Sequence, residues 1–214
     1  MTFSKLRALG FAIGLFVIVY APAFVVTAVV RPHIELAIPL VIASSFAIAS
    51  ILILLLARRK KTNIADFGFK IPNVRWTAIA IAFGMCVGLE VTFLSHLFPS
   101  KPPFDLSRLT PWMIALYFII GSSIQEEVIF RGLIQTVLEQ QTRTFAFFRR
   151  SLSCAVIYTA ALFGVIHFES GVLVTIGAIV LGLVAGELRR RSGSLVPAII
   201  VHALFNAADG FWSY

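Results

Sequence analysis

The stretch SSIQEEVIFRG, residues 122–132, places two adjacent carboxylates and an arginine inside a long apolar run. A charged side chain near the centre of a bilayer costs about 2.5 to 3.5 kcal/mol, so such residues usually face a protein interior or a water-filled cavity. The stretch therefore predicts a membrane helix that contributes charged groups to a buried polar site.

The composition of the chain is typical of an integral membrane protein. Of its 214 residues, 59% are hydrophobic and 13% are charged, whereas about a quarter of the residues in ordinary soluble domains are charged. Apolar runs of about 20 residues indicate membrane-spanning helices rather than barrel strands, which alternate apolar and polar residues over about 10 positions. We therefore predict an all-α fold, a polytopic transmembrane helix bundle with a buried polar active-site cavity.

The apolar runs predict about seven helices in a single transmembrane domain, residues 1–214. Each run is near the length of about 20 residues that spans a bilayer. The runs cover residues 9–30, 36–57, 76–98, 111–138, 152–168, 172–188 and 195–212.

The distribution of lysine and arginine predicts the orientation of the helices. Cytoplasmic loops carry an excess of basic residues, and this excess is obtained when the N-terminus is cytoplasmic and the C-terminus lies outside. The outer loops then hold Arg31, Lys101 and Arg108. The inner loops hold Lys5, Arg7, residues 58–61, Lys70, Arg75, Arg143, Arg149, Arg150 and residues 189–191.

This membrane orientation also accounts for the formal net charge of +8. The basic residues form short clusters between apolar runs instead of one continuous basic surface. We therefore expect no nucleic-acid partner.

Three groups of polar residues interrupt the apolar pattern of the C-terminal half. Residues four apart share a helix face, so Glu127 and Arg131 are predicted to form a structural intrahelical ion pair. Adjacent carboxylates lie about 100° apart around a helix axis, which leaves Glu126 to face another element. The groups are Glu126, Glu127 and Arg131; Phe163 and His167; and His202 with Asn206.

A carboxylate, two imidazoles and an amide from three helices suit the hydrolysis of an amide bond. A glutamate and a histidine can deprotonate water, and histidine or asparagine donors can stabilise an oxyanion. The same residues also suit zinc, because Glu126, His167 and His202 are legitimate ligands with water in the fourth position. Asn206 is a poor zinc ligand and a reasonable oxyanion donor, so we favour a site without a metal or other cofactor and keep zinc as the alternative.

The predicted helix boundaries do not bring these residues to one depth. At about 1.5 Å per residue, Glu126 and His202 lie about 10 Å from the inner boundary, whereas His167 lies more than about 20 Å from Leu152. Either the fifth helix is placed differently or the predicted boundaries are displaced.

The three groups resemble the motifs of the CPBP/Abi family of intramembrane proteases. This family unites type II CAAX prenyl endopeptidases with bacteriocin-processing enzymes, and its pattern is EExxxR, then FxxxH, then HxxxN or HxxxD. The chain contains all three motifs in that order within residues 111–212. Residues before about position 110 are similar to the family only as generic membrane helices.

The resemblance implies an endopeptidase in which Glu126 and His167 activate water while His202 and Asn206 form the oxyanion site, without a bound metal. A glutamate-dependent mechanism is therefore expected, with a zinc metalloprotease as the alternative. The expected partners are membrane lipid and a peptide or protein substrate, either prenylated or unmodified. A non-catalytic transporter, scaffold or bacteriocin self-immunity protein is the alternative function, because such a protein could use the same buried polar residues for binding.

Overall fold

The computed structural model describes residues 3–30, 33–97, 106–140, 144–147 and 150–212. It confirms an all-α fold, and the described ranges contain seven main helices. These are α1 (Phe3–Val30), α2 (Ile34–Lys60), α3 (Val74–Leu97), α4 (Pro111–Glu139), α5 (Cys154–Ile166), α6 (Val172–Ser192) and α7 (Val196–Trp212). Arg31, Lys101, Arg143 and Arg149, on which the predicted orientation partly depends, lie outside the described residues.

Four of these helices are long and apolar enough to cross a membrane, judged over the described part of the chain. They are α1 from Leu6, α2, α4 and α6. The helix predicted over residues 152–168 is shorter than expected, because Leu152 and Ser153 belong to a strand and α5 has 13 residues. That strand, β2 (Arg150–Ser153), pairs antiparallel with β1 (Thr144–Phe147) between α4 and α5.

The C-terminal half of α4 is the central element of the bundle. Every residue from 127 to 138 is buried, as expected of a helix surrounded by neighbours on all sides. Two π-helical stretches, Ala115–Ser122 and Val128–Gln135, flank the segment Ser123–Glu127. Glu127 and Arg131 are therefore enclosed by protein rather than by lipid.

Glycines allow α5 and α6 to approach each other closely. A Cβ atom added at Gly182 would lie 2.9 Å from Cα of Ala160, and one added at Gly164 would clash with Cγ1 of Ile179. Small residues commonly permit such contacts between membrane helices. The contacts show that α5 and α6 run antiparallel, with the C-terminal end of α5 beside the N-terminal part of α6.

The structure brings the polar residues of α4 and α5 to a common depth. Glu126 precedes the end of α4 by 13 residues, and His167 follows the start of α5 by 13 residues. Both distances correspond to about 20 Å of helix, measured from the side of the bundle where strands β1 and β2 connect α4 to α5. The mismatch in depth that the sequence analysis found between Glu126 and His167 is therefore absent when both are measured from the ends of α4 and α5.

The start of α7 explains how His202 reaches the same region. Leu195 lies beside Gly132, where an added Cβ atom would be 3.5 Å from Cδ1 of Leu195. Helix α7 therefore begins about two turns before the C-terminal end of α4, measured along α4. His202, six residues after Val196, consequently lies at the level of Glu127.

Candidate active site

Glu127 and Arg131 form an ion pair inside the bundle. Nη1 of Arg131 lies 2.9 Å from Oε1 of Glu127, and both side chains are completely buried. The guanidinium also donates a hydrogen bond from Nη2 to the carbonyl oxygen of Gly182, at 3.2 Å. Because glycine has no side chain, α6 can bring this carbonyl to the arginine.

His202 lies between the two glutamates. Its Nδ1 atom lies 2.8 Å from Oε1 of Glu127, and its Nε2 atom lies 3.6 Å from Oε2 of Glu126. The side chain of Glu126 is 16% exposed, whereas that of Glu127 is fully buried. Glu126 is thus the carboxylate of the pair that reaches accessible space.

The contact between His202 and Glu127 was missed by the sequence analysis. The spacing of Glu127 and Arg131 indicated an intrahelical pair, and the structure has these two residues in contact. His202 lies on another helix, 75 positions after Glu127, so no spacing within one helix indicated that these two residues would meet. The number of polar residues in the C-terminal half indicated that they could converge, but not which carboxylate each histidine would meet.

His167 caps the C-terminal end of α5. Its Nδ1 atom lies 2.8 Å from the carbonyl oxygen of Phe163, so Nδ1 must carry the hydrogen and Nε2 is left as the acceptor of a neutral ring. The ring packs against Phe163 with centroids 4.7 Å apart, and Phe163 meets His202 edge-on at 5.5 Å. One phenyl ring therefore contacts both imidazoles.

Asn206 lies one turn beyond His202 and faces the first half of α4. Its Nδ2 atom donates a hydrogen bond to the carbonyl oxygen of Phe118 at 2.8 Å. It also lies 3.3 Å from the hydroxyl of Ser122 and 3.2 Å from that of Ser123. These contacts hold α7 against α4 about one to two turns before the two glutamates.

The alternative zinc ligands are not assembled around a common point. Within the described ranges, no three histidine, cysteine, aspartate or glutamate side chains form a group that could hold a metal ion. His202 uses Nδ1 to contact Glu127, and His167 uses Nδ1 to contact a backbone carbonyl. These contacts leave both Nε2 atoms available, as in histidines that bind metals through Nε2, so the misfit with a three-ligand site rests on the separation of the side chains in the described residues.

Comparison with protein families places this constellation in a known group. Residues 108–208 match the family model described as type II CAAX prenyl endopeptidase Rce1-like. The matched range includes every residue of the site described above. No curated protein and no solved structure matches the chain significantly. Over residues 108–208, slightly less than half of its length, the chain is therefore similar to the Rce1-like family of type II CAAX prenyl endopeptidases, and this match supports the resemblance to the CPBP/Abi family.

Proposed function

We propose that the protein is an intramembrane endopeptidase in which Glu126 activates water for attack on a peptide bond. The proposal rests on the different surroundings of the two adjacent glutamates. Glu127 is fully buried and engaged by Arg131 and His202, whereas Glu126 is partly exposed and remains 3.6 Å from the nearest histidine nitrogen. An ion-paired carboxylate is a weaker base, so Glu126 is the better proton acceptor.

His167, His202 and Asn206 are assigned the other roles in the proposed reaction. In the proposed reaction, Nε2 of His167 accepts a hydrogen bond from the attacking water, because its Nδ1 atom is occupied by the Phe163 carbonyl. His202 faces the same space through Nε2, and its oxyanion role requires a hydrogen on that atom. Asn206 has two hydrogens on Nδ2, one directed to Phe118 at 2.8 Å and the other near serine hydroxyls at longer distances. The second hydrogen can be redirected to an oxyanion.

The reaction is balanced without an external acid or base. Water loses a proton to the Glu126 carboxylate while its oxygen bonds to the peptide carbonyl carbon. His202 and Asn206 donate hydrogen bonds to the resulting oxyanion. The carbon–nitrogen bond then breaks, and Glu126 returns the proton to the leaving amine.

The family description names the substrate class to be tested first. We propose a protein with a prenylated CAAX-type C-terminus as substrate, and an unmodified peptide as the comparison. No cofactor is part of this proposal. The membrane surroundings follow from the four apolar helices and bring a lipid-modified substrate to the depth of the site.

The proposed orientation places the N-terminus in the cytoplasm and the C-terminus outside. The structure supports one part of the charge argument, because the basic ends of α2 and α6 lie on the same side of the bundle. Nη2 of Arg189, near the end of α6, donates to the carbonyl oxygen of Asp66, which follows α2. Positively charged loops on one side favour that side as cytoplasmic.

The activity is tested with purified protein in detergent and two fluorogenic peptides of identical sequence, one farnesylated on its cysteine and one unmodified. We expect cleavage by the wild-type protein and a loss of about 10²- to 10⁴-fold for Glu126→Gln, at an unchanged melting temperature. Glu139→Gln, on the same helix, is the matched control and should cleave normally. If neither peptide is cleaved at any enzyme concentration, a non-catalytic binding role replaces the peptidase.

A further inference from the structure

Tyr20 brings an unpaired hydroxyl to the site from a helix outside the matched range. It lies on α1, and its ring packs against Phe16 at 5.0 Å and Phe130 at 6.1 Å between centroids. The hydroxyl oxygen is inaccessible to solvent and has no hydrogen-bond partner among the described residues. Leaving such a group unsatisfied costs about 1 to 3 kcal/mol, so a partner absent from the protein itself is expected.

The groups around this hydroxyl are those of the proposed reaction. Glu126 lies one turn before Phe130 on the same face of α4, so the tyrosine ring that packs against Phe130 lies along the face that carries Glu126. The side-chain amide of Gln125 is also close, but it does not reach the geometry of a hydrogen bond. Phe130 holds the tyrosine ring one position before Arg131 along α4. The phenol ring is therefore fixed by apolar packing against the helix that carries the two carboxylates, and its hydroxyl is buried there.

A second unpaired atom lies in the same region. Oε2 of Glu127 is buried without a hydrogen-bond partner, although Oε1 of the same carboxylate meets both Arg131 and His202. Unpaired buried polar atoms such as these are the usual setting of an ordered water molecule, which typically makes about three hydrogen bonds. Glu126 and Nε2 of His167 are the acceptors that the proposed reaction already assigns to the attacking water.

We propose that the Tyr20 hydroxyl positions the water molecule that Glu126 deprotonates. This inference rests on the proposed peptidase function. The water accepts a hydrogen bond from Tyr20 and donates its two hydrogens to Glu126 and to Nε2 of His167, which leaves one lone pair for the peptide carbonyl carbon. The proton passes to Glu126, and Tyr20 keeps its own proton throughout. The site is thereby completed by α1, to which the motifs of the C-terminal half give no clue.

The test compares Tyr20→Phe with Tyr158→Phe. Tyr158 is a partly buried tyrosine of α5 that packs against the same core, so the control removes a hydroxyl from a comparable residue on another helix. For Tyr20→Phe we expect kcat for the cleavable peptide to fall roughly 100-fold, the loss associated with a misplaced reactant. KM and the melting temperature should stay at their wild-type values, because the ring and its packing are retained. Wild-type kcat in Tyr20→Phe, or an equal loss in Tyr158→Phe, would overturn the inference.

A second measurement separates this inference from the peptidase proposal. The infrared carboxylate band of Glu126, identified by its absence in Glu126→Gln, should shift in Tyr20→Phe and not in Tyr158→Phe, because the bound water loses an anchor. A shifted band in a protein that cleaves no peptide would refute the proposed function and support the water site. An unshifted band in a protein that cleaves peptide would refute the role of Tyr20 and leave the function standing.

Discussion

Nδ1 of His202 lies 2.8 Å from Oε1 of Glu127, the same carboxylate oxygen that Arg131 approaches at 2.9 Å. One buried oxygen atom thus serves a cation on its own helix and an imidazole on α7. Removing one partner of a buried pair leaves an uncompensated charge, which is more costly than replacing the whole pair. Glu127 therefore links the stability of α4 to the placement of His202.

Replacement of Glu127 tests this double role. Glu127→Gln should lower the free energy of unfolding by about 3 to 5 kcal/mol, because Arg131 loses its counter-charge in a fully buried position. Specific activity per folded molecule should also fall, although less than in Glu126→Gln, because an amide oxygen holds His202 less strongly than a carboxylate does. Thermal unfolding in detergent and kcat of the folded fraction measure the two effects.

The matched control for this change is Glu139→Gln on the same helix. Glu139 accepts a hydrogen bond from Gln135 at 2.8 Å, so its loss should leave stability and turnover close to those of the wild-type protein. A stable but inactive Glu127→Gln, together with an active Glu126→Gln, would reverse the two roles and make Glu127 the base.

The composition and the spacing within single helices predicted a large part of this architecture. The apolar runs indicated seven helices in a membrane protein, and the four-residue spacings indicated which polar residues share a face. These features are local, so the sequence displays them directly. The family motifs identified the residues of three helices that lie around Phe163, a relationship that periodicity alone would not have revealed.

Contacts between distant segments were the part that could not be predicted. The short helix α5 depends on the pairing of β1 with β2, and the depth of His202 depends on the packing of Leu195 beside Gly132. Tyr20 lies in a run of apolar residues whose pattern is that of an ordinary membrane span. Its position beside Phe130 is set by the packing of α1 against α4, for which its local sequence has no signal.

The second prediction concerns Asn206. Asn206→Ala removes the proposed oxyanion donor, and the loss of one such donor typically costs about 10²- to 10³-fold in kcat. Ser123→Ala removes one of the hydroxyls that Asn206 meets in α4 but keeps the amide, so it should retain most of the activity. A reduced melting temperature with normal turnover in Asn206→Ala would show that the residue ties the helices together without contacting the reacting atoms.

The third prediction concerns the contact between α5 and α6. Gly182→Ala would place a Cβ atom 2.9 Å from the backbone of Ala160, and it should destabilise the protein by about 1 to 3 kcal/mol through overpacking. The displaced Gly182 carbonyl would also weaken its hydrogen bond with Arg131. Gly177→Ala is the control on the same helix, because its added Cβ meets Phe205 at an ordinary 3.6 Å. Equal melting temperatures for the two variants would contradict the proposed close packing.

The fourth prediction concerns orientation. In a background with Cys86 and Cys154 replaced by alanine, Lys61→Cys should react with a membrane-impermeant thiol reagent from the cytoplasmic side. Lys101→Cys, in the loop predicted to lie outside, should react from the opposite side. The expectation follows from the excess of basic residues around Lys61. Labelling of both cysteines from one side would refute the odd number of crossings predicted between them.

The last prediction concerns metal dependence. The described residues do not assemble three metal ligands, and the proposed chemistry assigns proton transfer to Glu126 rather than to a metal-bound water. We therefore expect peptide cleavage to persist after dialysis against a strong chelator, with zinc well below one equivalent by elemental analysis. A zinc-dependent peptidase carried through the same dialysis is the control that shows the chelator to be effective.

Substrate binding could draw His167 and His202 towards Glu126, so the measurement is repeated with substrate present during chelation. Loss of activity under either condition, restored by one equivalent of zinc, would replace the glutamate-dependent mechanism with a metalloprotease in which Glu126, His167 and His202 are the ligands.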